Sequence, residues 1–202
     1  MPKAKIPGGI TPEHFLRIRS ILTSFLEEMT AAAPRSKPSW ASCRLNESGD
    51  NQDDISPVFV GWVEHPDLAA ERVRKNEPDP GLFRFGDDHY SELFEDCIKN
   101  PGTVRKRNWH RDLKDPVRGK WMATAKKQSI EAGIMFRRSI GLIADGRAVG
   151  TLNVGFARDP APEDRKIAAT LKRWAREDHE PLLTLREHFI LTGPKLSGRA
   201  SR

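Results

Sequence analysis

Between Ile134 and Phe156 the chain carries two apolar runs, Ile134 to Ala144 and Arg147 to Phe156, joined by the dipeptide Asp145-Gly146. Both of these residue types tolerate the positive φ of a tight primed turn, and the twist of such a turn matches that of the strands it connects. The segment therefore predicts a β-hairpin. A hairpin commits the chain to an antiparallel ladder in which alternate side chains face opposite sides of a sheet.

Everything else must be packed onto that ladder. With 202 residues the chain is expected to form one domain that buries a sizeable core without staples. Hydrophobic residues make up 37% and charged residues 31%, the balance of a soluble globular protein, and no apolar run approaches the ~20 residues of a membrane span. The opening Met-Pro-Lys-Ala-Lys-Ile-Pro-Gly-Gly lacks the apolar stretch of a secretory signal, so a cytoplasmic location is expected. Cys43 and Cys97 lie far apart with no Cys-x-x-Cys spacing, which fits reduced core thiols better than a zinc site or a redox dithiol.

Net charge is +6, with basic residues at Arg72/Arg74/Lys75, Arg105-Lys106-Arg107, Arg137/Arg138 and along the tail from Lys195 to Arg202. Such groups can attract phosphates. Here 28 acidic residues are interleaved with 34 basic ones, and no helix-turn-helix or aromatic RNA-binding signature accompanies them. A solvated surface is the favoured reading, and nucleic-acid binding is kept behind it.

Residues 1–10 and 192–202 read as flexible tails, the second of them basic, around a domain over residues 11–191. Thr11-Pro12-Glu13 is a helix start, and Phe15, Ile18, Leu22, Phe25 and Met29, widened by Ile21 and Leu26, form one apolar stripe as far as about Ala33. The spacing also suits a bundle seam. Pro34 and Pro38 end this helix, after which Trp40–Leu45 and Val58–Val63 read as strands. The second of these is apolar on both faces, as expected of a strand at the centre of a sheet.

A short helix is predicted around Leu68–Arg74, and a short strand at Leu82–Phe85. A helix capped by Asp87 should carry Tyr90, Leu93, Phe94 and Cys97 on one face, before a stop at Asn100-Pro101-Gly102. Another strand is expected over Thr103–Arg107. Asp115-Pro116 starts a helix burying Val117, Trp121, Met122 and Ala125. Beyond the hairpin, Arg158 to Asp164 opens a last helix with Ile167, Leu171 and Trp174, interrupted by Pro181 and continued by Leu182, Leu185 and Phe189.

This order predicts an α+β fold around a mainly antiparallel sheet. Within it, the run from Arg138 through Ser139, Asp145-Gly146 and Val149-Gly150-Thr151-Leu152-Asn153-Val154 resembles the closing hairpin of a GAF domain. Asp112-Leu-Lys-Asp-Pro-Val-Arg118 is similar to that family's aspartate-and-proline loop. The resemblance implies a sheet of six strands or so, with the terminal helices on one face and a ligand pocket on the other. It also implies that the first helix serves as a homodimer surface. The competing reading packs that helix against the last one within a single subunit. No output module follows in this sequence, so a separate output protein is expected.

By placement within that resemblance, the ligand-binding candidates are Arg84, Phe85, Trp109, Arg111, Asp112, Trp121, Ser139 and Asn153. Arginine meets carboxylates or phosphates with two parallel hydrogen bonds, and tryptophan stacks on planar rings. The plain alternatives are core packing for the tryptophans and solvation for the arginines. Asn153 is the best single candidate for a polar group inside the pocket.

No catalysis is predicted. The six histidines form no His-Glu-x-x-His pattern, and neither a phosphate-binding Gly-x-x-x-x-Gly-Lys loop nor a Gly-x-Ser-x-Gly elbow is present. One GAF branch reduces free methionine sulfoxide with cysteines clustered around its pocket, but Cys43 and Cys97 read as core positions. His110 near Asp112 could ligate a metal or haem, although a lone histidine is more often structural. The function expected is a small-molecule-binding sensor acting on a partner through its terminal helices, its ligand or cofactor unidentified. A ligand-free interaction module is the alternative.

Overall fold

The computed structural model of the protein describes residues 12–46, 57–74, 92–108, 136–144 and 146–176. Helix α1, Pro12–Ala32, follows from its stripe: Ile18, Leu22, Phe25 and Met29 are fully buried, with Ile21 and Leu26 beside them. Pro34 falls in the turn behind it. The chain continues through β1 (Pro38–Asn46), β2 (Pro57–Glu64), α2 (Pro66–Arg74), α3 (Glu92–Lys99) and β3 (Arg105–Asn108). Strands β4 (Phe136–Ala144) and β5 (Arg147–Phe156) make the predicted hairpin, with Gly146 at φ +74° in its turn. A 3-10 turn at Ala161–Glu163 leads into the last described helix, α4, Asp164–Trp174.

The five strands form one antiparallel sheet in the order β2-β1-β5-β4-β3. This is the expected α+β class with a mainly antiparallel sheet. The two-sided apolar strand, β2, stands at the edge among the described strands, and β5 holds the centre that the sequence assigned to it. Its hydrophobicity has another cause: α1 covers one side, and on the other the Trp62 ring stacks on Trp40 at 4.3 Å between centroids. The strand expected at Leu82–Phe85, the helix from Asp115, the continuation past Pro181 and both tails lie outside the described residues.

Helices α1 and α4 pack on one face of the sheet. The core there joins the α1 stripe to Ala41, Cys43, Leu45, Val63, Ile140, Leu152, Val154 and Phe156, and to Ile167, Leu171 and Trp174 from α4. The apolar stripe of α1 is thus satisfied within one chain, as the single-subunit reading expected. Among the described residues, Leu16, 68% exposed, is the large apolar side chain left outside. Polar contacts fix the two helices: Trp174 Nε1 donates to Glu28 Oε2 at 2.9 Å, Arg173 pairs with Glu28, and Ile143 N on β4 donates to Ala175 O at 3.0 Å.

The acids at the start of α4 do not cap their own helix by side-chain hydrogen bonds. They tie it to the rest of the fold instead. Glu163 accepts from Ser36 N at 2.8 Å and from Ser36 Oγ, while Asp164 accepts from Arg138 Nε at 2.7 Å and Lys106 Nζ at 2.6 Å. Arg138 is 4% exposed, so Asp164 is the counter-charge of a buried guanidinium. Burial alone would raise the Asp164 carboxyl, but the hydrogen bonds from Arg138 and Lys106 outweigh it and hold the group below the usual aspartate value.

Asp164→Asn is expected to destabilise the fold by about 2 kcal/mol, read by chemical denaturation, because it leaves Arg138 buried without its partner. Since the folded carboxyl titrates lower than the unfolded one, this contribution is present above the unfolded value of about 3.9. It disappears as pH falls through the folded value. The wild type should therefore lose stability in acid, and the variant should lack that component.

Candidate functional site

Opposite residues of an antiparallel ladder share a face, so the register identifies what lies on the side away from α1 and α4. One row across all five strands is Arg105, Ser139, Asn153, Ser42 and Trp62, and the next is Arg107, Arg137, Gly155, Trp40 and Glu64. The alternate rows, such as Lys106, Arg138, Val154, Ala41 and Val63, face the helices. α3 lies on the polar side, with the Cys97 carbonyl close against Gly141.

At the middle of this face is a buried polar network. Arg137 donates from Nε to Ser139 Oγ at 3.0 Å and from Nη2 to Asn153 Oδ1 at 2.6 Å. Asn153 Nδ2 in turn reaches Ser42 O, Ser42 Oγ and Thr151 Oγ1, each at 3.3 Å. Arg137 is 8% exposed and Asn153 is completely buried, so the amide is oriented by donors and acceptors from three strands.

Trp40 completes the group. Its indole lies over Gly155, where a Cβ would fall 1.9 Å from Nε1, so only glycine leaves room for the ring. Arg137 Cζ stands 5.9 Å from the Trp40 ring centroid, and Trp62 covers the indole by near-parallel stacking at 11°. Among the described residues no acceptor meets Trp40 Nε1 or Trp62 Nε1.

Burial and basic neighbours set the state of Arg137. Burial, then Arg44, and more weakly Arg107, pull Arg137 down to about 9, opposed only by Cys97. Arg137 remains a cation at neutral pH, and the acceptors that meet it among the described residues are a hydroxyl and an amide. Asp96 pairs instead with Arg105, at 2.9 Å.

Of the eight sequence candidates, the structure brings together Ser139 and Asn153. Arg84, Phe85, Trp109, Arg111, Asp112 and Trp121 lie outside the described residues, as does the His110 reading. Arg137, Ser42, Thr151, Trp40 and Trp62 were not among the candidates. The basic pair Arg137/Arg138, read from sequence as part of a solvated charge cluster, is interior: alternation along β4 sends Arg137 into the polar network and Arg138 to Asp164.

A β-bulge sets this arrangement. The ladder shifts between Leu142 and Ile143, which pair with Gly150 and Ala148 and leave Val149 as the extra residue. An unbroken hairpin from Ala144 and Arg147 would place Leu152 opposite Ser139. The bulge places Asn153 there instead and gives it the face of Arg137.

The two thiols are separated by the sheet. Cys43 belongs to the helix-side core and Cys97 to the polar side, and burial pushes both up to about 12. No group of three metal-ligating side chains occurs among the described residues, and no described helix is long and apolar enough to cross a membrane.

Neither a protein-family model nor a curated protein sequence matches the chain. Solved structures do. The GAF3 domain of Slr1393 from Synechocystis is similar at a TM-score of 0.49 and 9% identity, covering 84% of this chain and 98% of that one. The PixJ GAF domain of Thermosynechococcus elongatus, in a blue-light-absorbing form, gives 0.47 and 9% over 90% of this chain and 92% of its own. A type II free methionine-R-sulfoxide reductase from Thermoplasma acidophilum gives 0.47 and 15% over 83% and 92%. The GAF likeness is one of chain path, and the chemistry is read from the residues above.

Proposed function

We propose that this GAF-like chain is a regulatory domain that binds a small molecule on the polar face of its sheet and passes the change to a separate partner through α1 and α4. The observation that carries this reading is the buried network around Arg137 and Asn153. A polar cluster of this kind costs free energy in a core, and an apolar row would stabilise the same ladder as well or better. Its presence on the side of the sheet away from α1 and α4, beside α3, fits a ligand site.

The alternation of β4 supplies the route between the two faces. Arg137 lies in the site and its neighbour Arg138 holds Asp164 at the first turn of α4. A shift of β4 on ligand binding would act directly on that ion pair. Dimerisation is part of the proposal, and since the α1 stripe is buried within the chain, a second copy would meet the outer side of α1 around Leu16. The buried, separated thiols support a binding role over thiol catalysis, and the interior placement of Arg137 and Arg138 weakens the nucleic-acid alternative.

Native mass spectrometry of the purified chain, followed by denaturing extraction, tests the proposal. A stoichiometric small molecule, lost from Asn153→Ala, is expected. A chain that is empty after expression, gains no ligand from a cell extract and persists as a stable dimer would favour the interaction module instead.

A further inference from the structure

We infer that the site takes a small organic carboxylate, its oxygens held between the Arg137 guanidinium and the Trp40 indole N–H above β5 and its body lying beside the Trp40/Trp62 pair. The inference rests on the small-molecule reading above and names the chemistry of that ligand. Three observations meet at one place.

First, Arg137 is a buried cation whose hydrogen-bond acceptors among the described residues, Ser139 Oγ and Asn153 Oδ1, are both neutral. Buried charges in folded proteins are paired, and each of the other ion-paired arginines named here has a carboxylate: Asp164 for Arg138, Asp96 for Arg105 and Glu28 for Arg173. The site therefore favours an anion.

Second, Trp40 is 5% exposed and its Nε1 has no acceptor among the described residues. That nitrogen sits over Gly155, whose partners in the ladder are Trp40 on one side and Arg137 on the other. An indole N–H and a guanidinium thus converge over the same short segment of β5. A carboxylate has two acceptor oxygens in one plane, which suits two such donors. A single negative charge also balances the Arg137 guanidinium, whose acceptors among the described residues are both neutral.

Third, the wall beside these donors is a stacked indole pair, a surface that suits a flat or apolar ligand body over a fully hydrated one.

The test is calorimetric titration of the full chain with benzoate, with benzamide as the neutral analogue of nearly the same shape, and with inorganic phosphate. Benzoate should bind saturably, and benzamide and phosphate at least tenfold more weakly. Arg137→Gln should lose benzoate binding by tenfold or more. Trp40→Phe keeps a ring but removes the indole N–H, and should weaken benzoate severalfold more than benzamide; it carries the test if Arg137→Gln does not fold.

Equal binding of benzoate and benzamide, both lost in Asn153→Ala, would overturn the anion assignment and leave the small-molecule reading standing. Phosphate binding in preference to benzoate would overturn the carboxylate assignment. A chain that binds none of the three but releases a neutral molecule on extraction would do the same while again sparing the proposed function.

Discussion

Asn153→Ala is expected to lower stability by about 3 kcal/mol, a large change for one surface-remote side chain, because it removes the hub of a fully buried network. Asn153 Oδ1 accepts the 2.6 Å bond from Arg137 Nη2, and its amide nitrogen holds Ser42 and Thr151. Truncation leaves a buried guanidinium nitrogen facing a void, which is more costly than the loss of an ordinary neutral hydrogen bond. Denaturant unfolding reads the loss, and ligand retention should fall with it. A companion Asn153→Asp substitution gives Arg137 a counter-charge and should recover stability while excluding an anionic ligand.

Phe25→Ala should be more damaging still, at about 4 kcal/mol by the range for buried aromatic truncations. Phe25 is completely buried and meets the Trp174 ring edge-on at 5.4 Å, so it joins α1 to α4 over the sheet. The cavity would open at the junction through which the helices are proposed to respond. Thermal unfolding should therefore shift strongly. The polar face should keep its register, and in the surviving folded population benzoate affinity should change far less than in Arg137→Gln.

Local patterns were legible because local physics sets them. The stripe of α1, the Asp-Gly turn and the apolar face of α4 depend on neighbours three or four residues away or on the backbone of two residues. Strand order did not follow in the same way. The apolar character of β2 came from stacking between Trp62 and Trp40 and from α1 above it, both long-range contacts that imitate a central strand.

The site was partly legible for a different reason. Asn153 and Ser139 were chosen by their placement in the hairpin that resembles a GAF domain, and they do meet across the ladder. Arg137 was not chosen, since adjacent arginines look like a surface cluster until both faces of β4 are known to be covered. The bulge at Val149 was hidden as well, although it alone aligns Asn153 with the face of Arg137.

The measurement that bears most directly on the account is amide hydrogen exchange of the full chain with and without saturating benzoate. Binding on the polar face with transmission to the helices predicts slower exchange in β1, β4 and β5 together with a change at the first turn of α4, and Asp164→Asn should abolish the second effect while keeping the first. Unchanged exchange throughout the sheet under conditions where benzoate binds would contradict a site at Arg137 and Asn153.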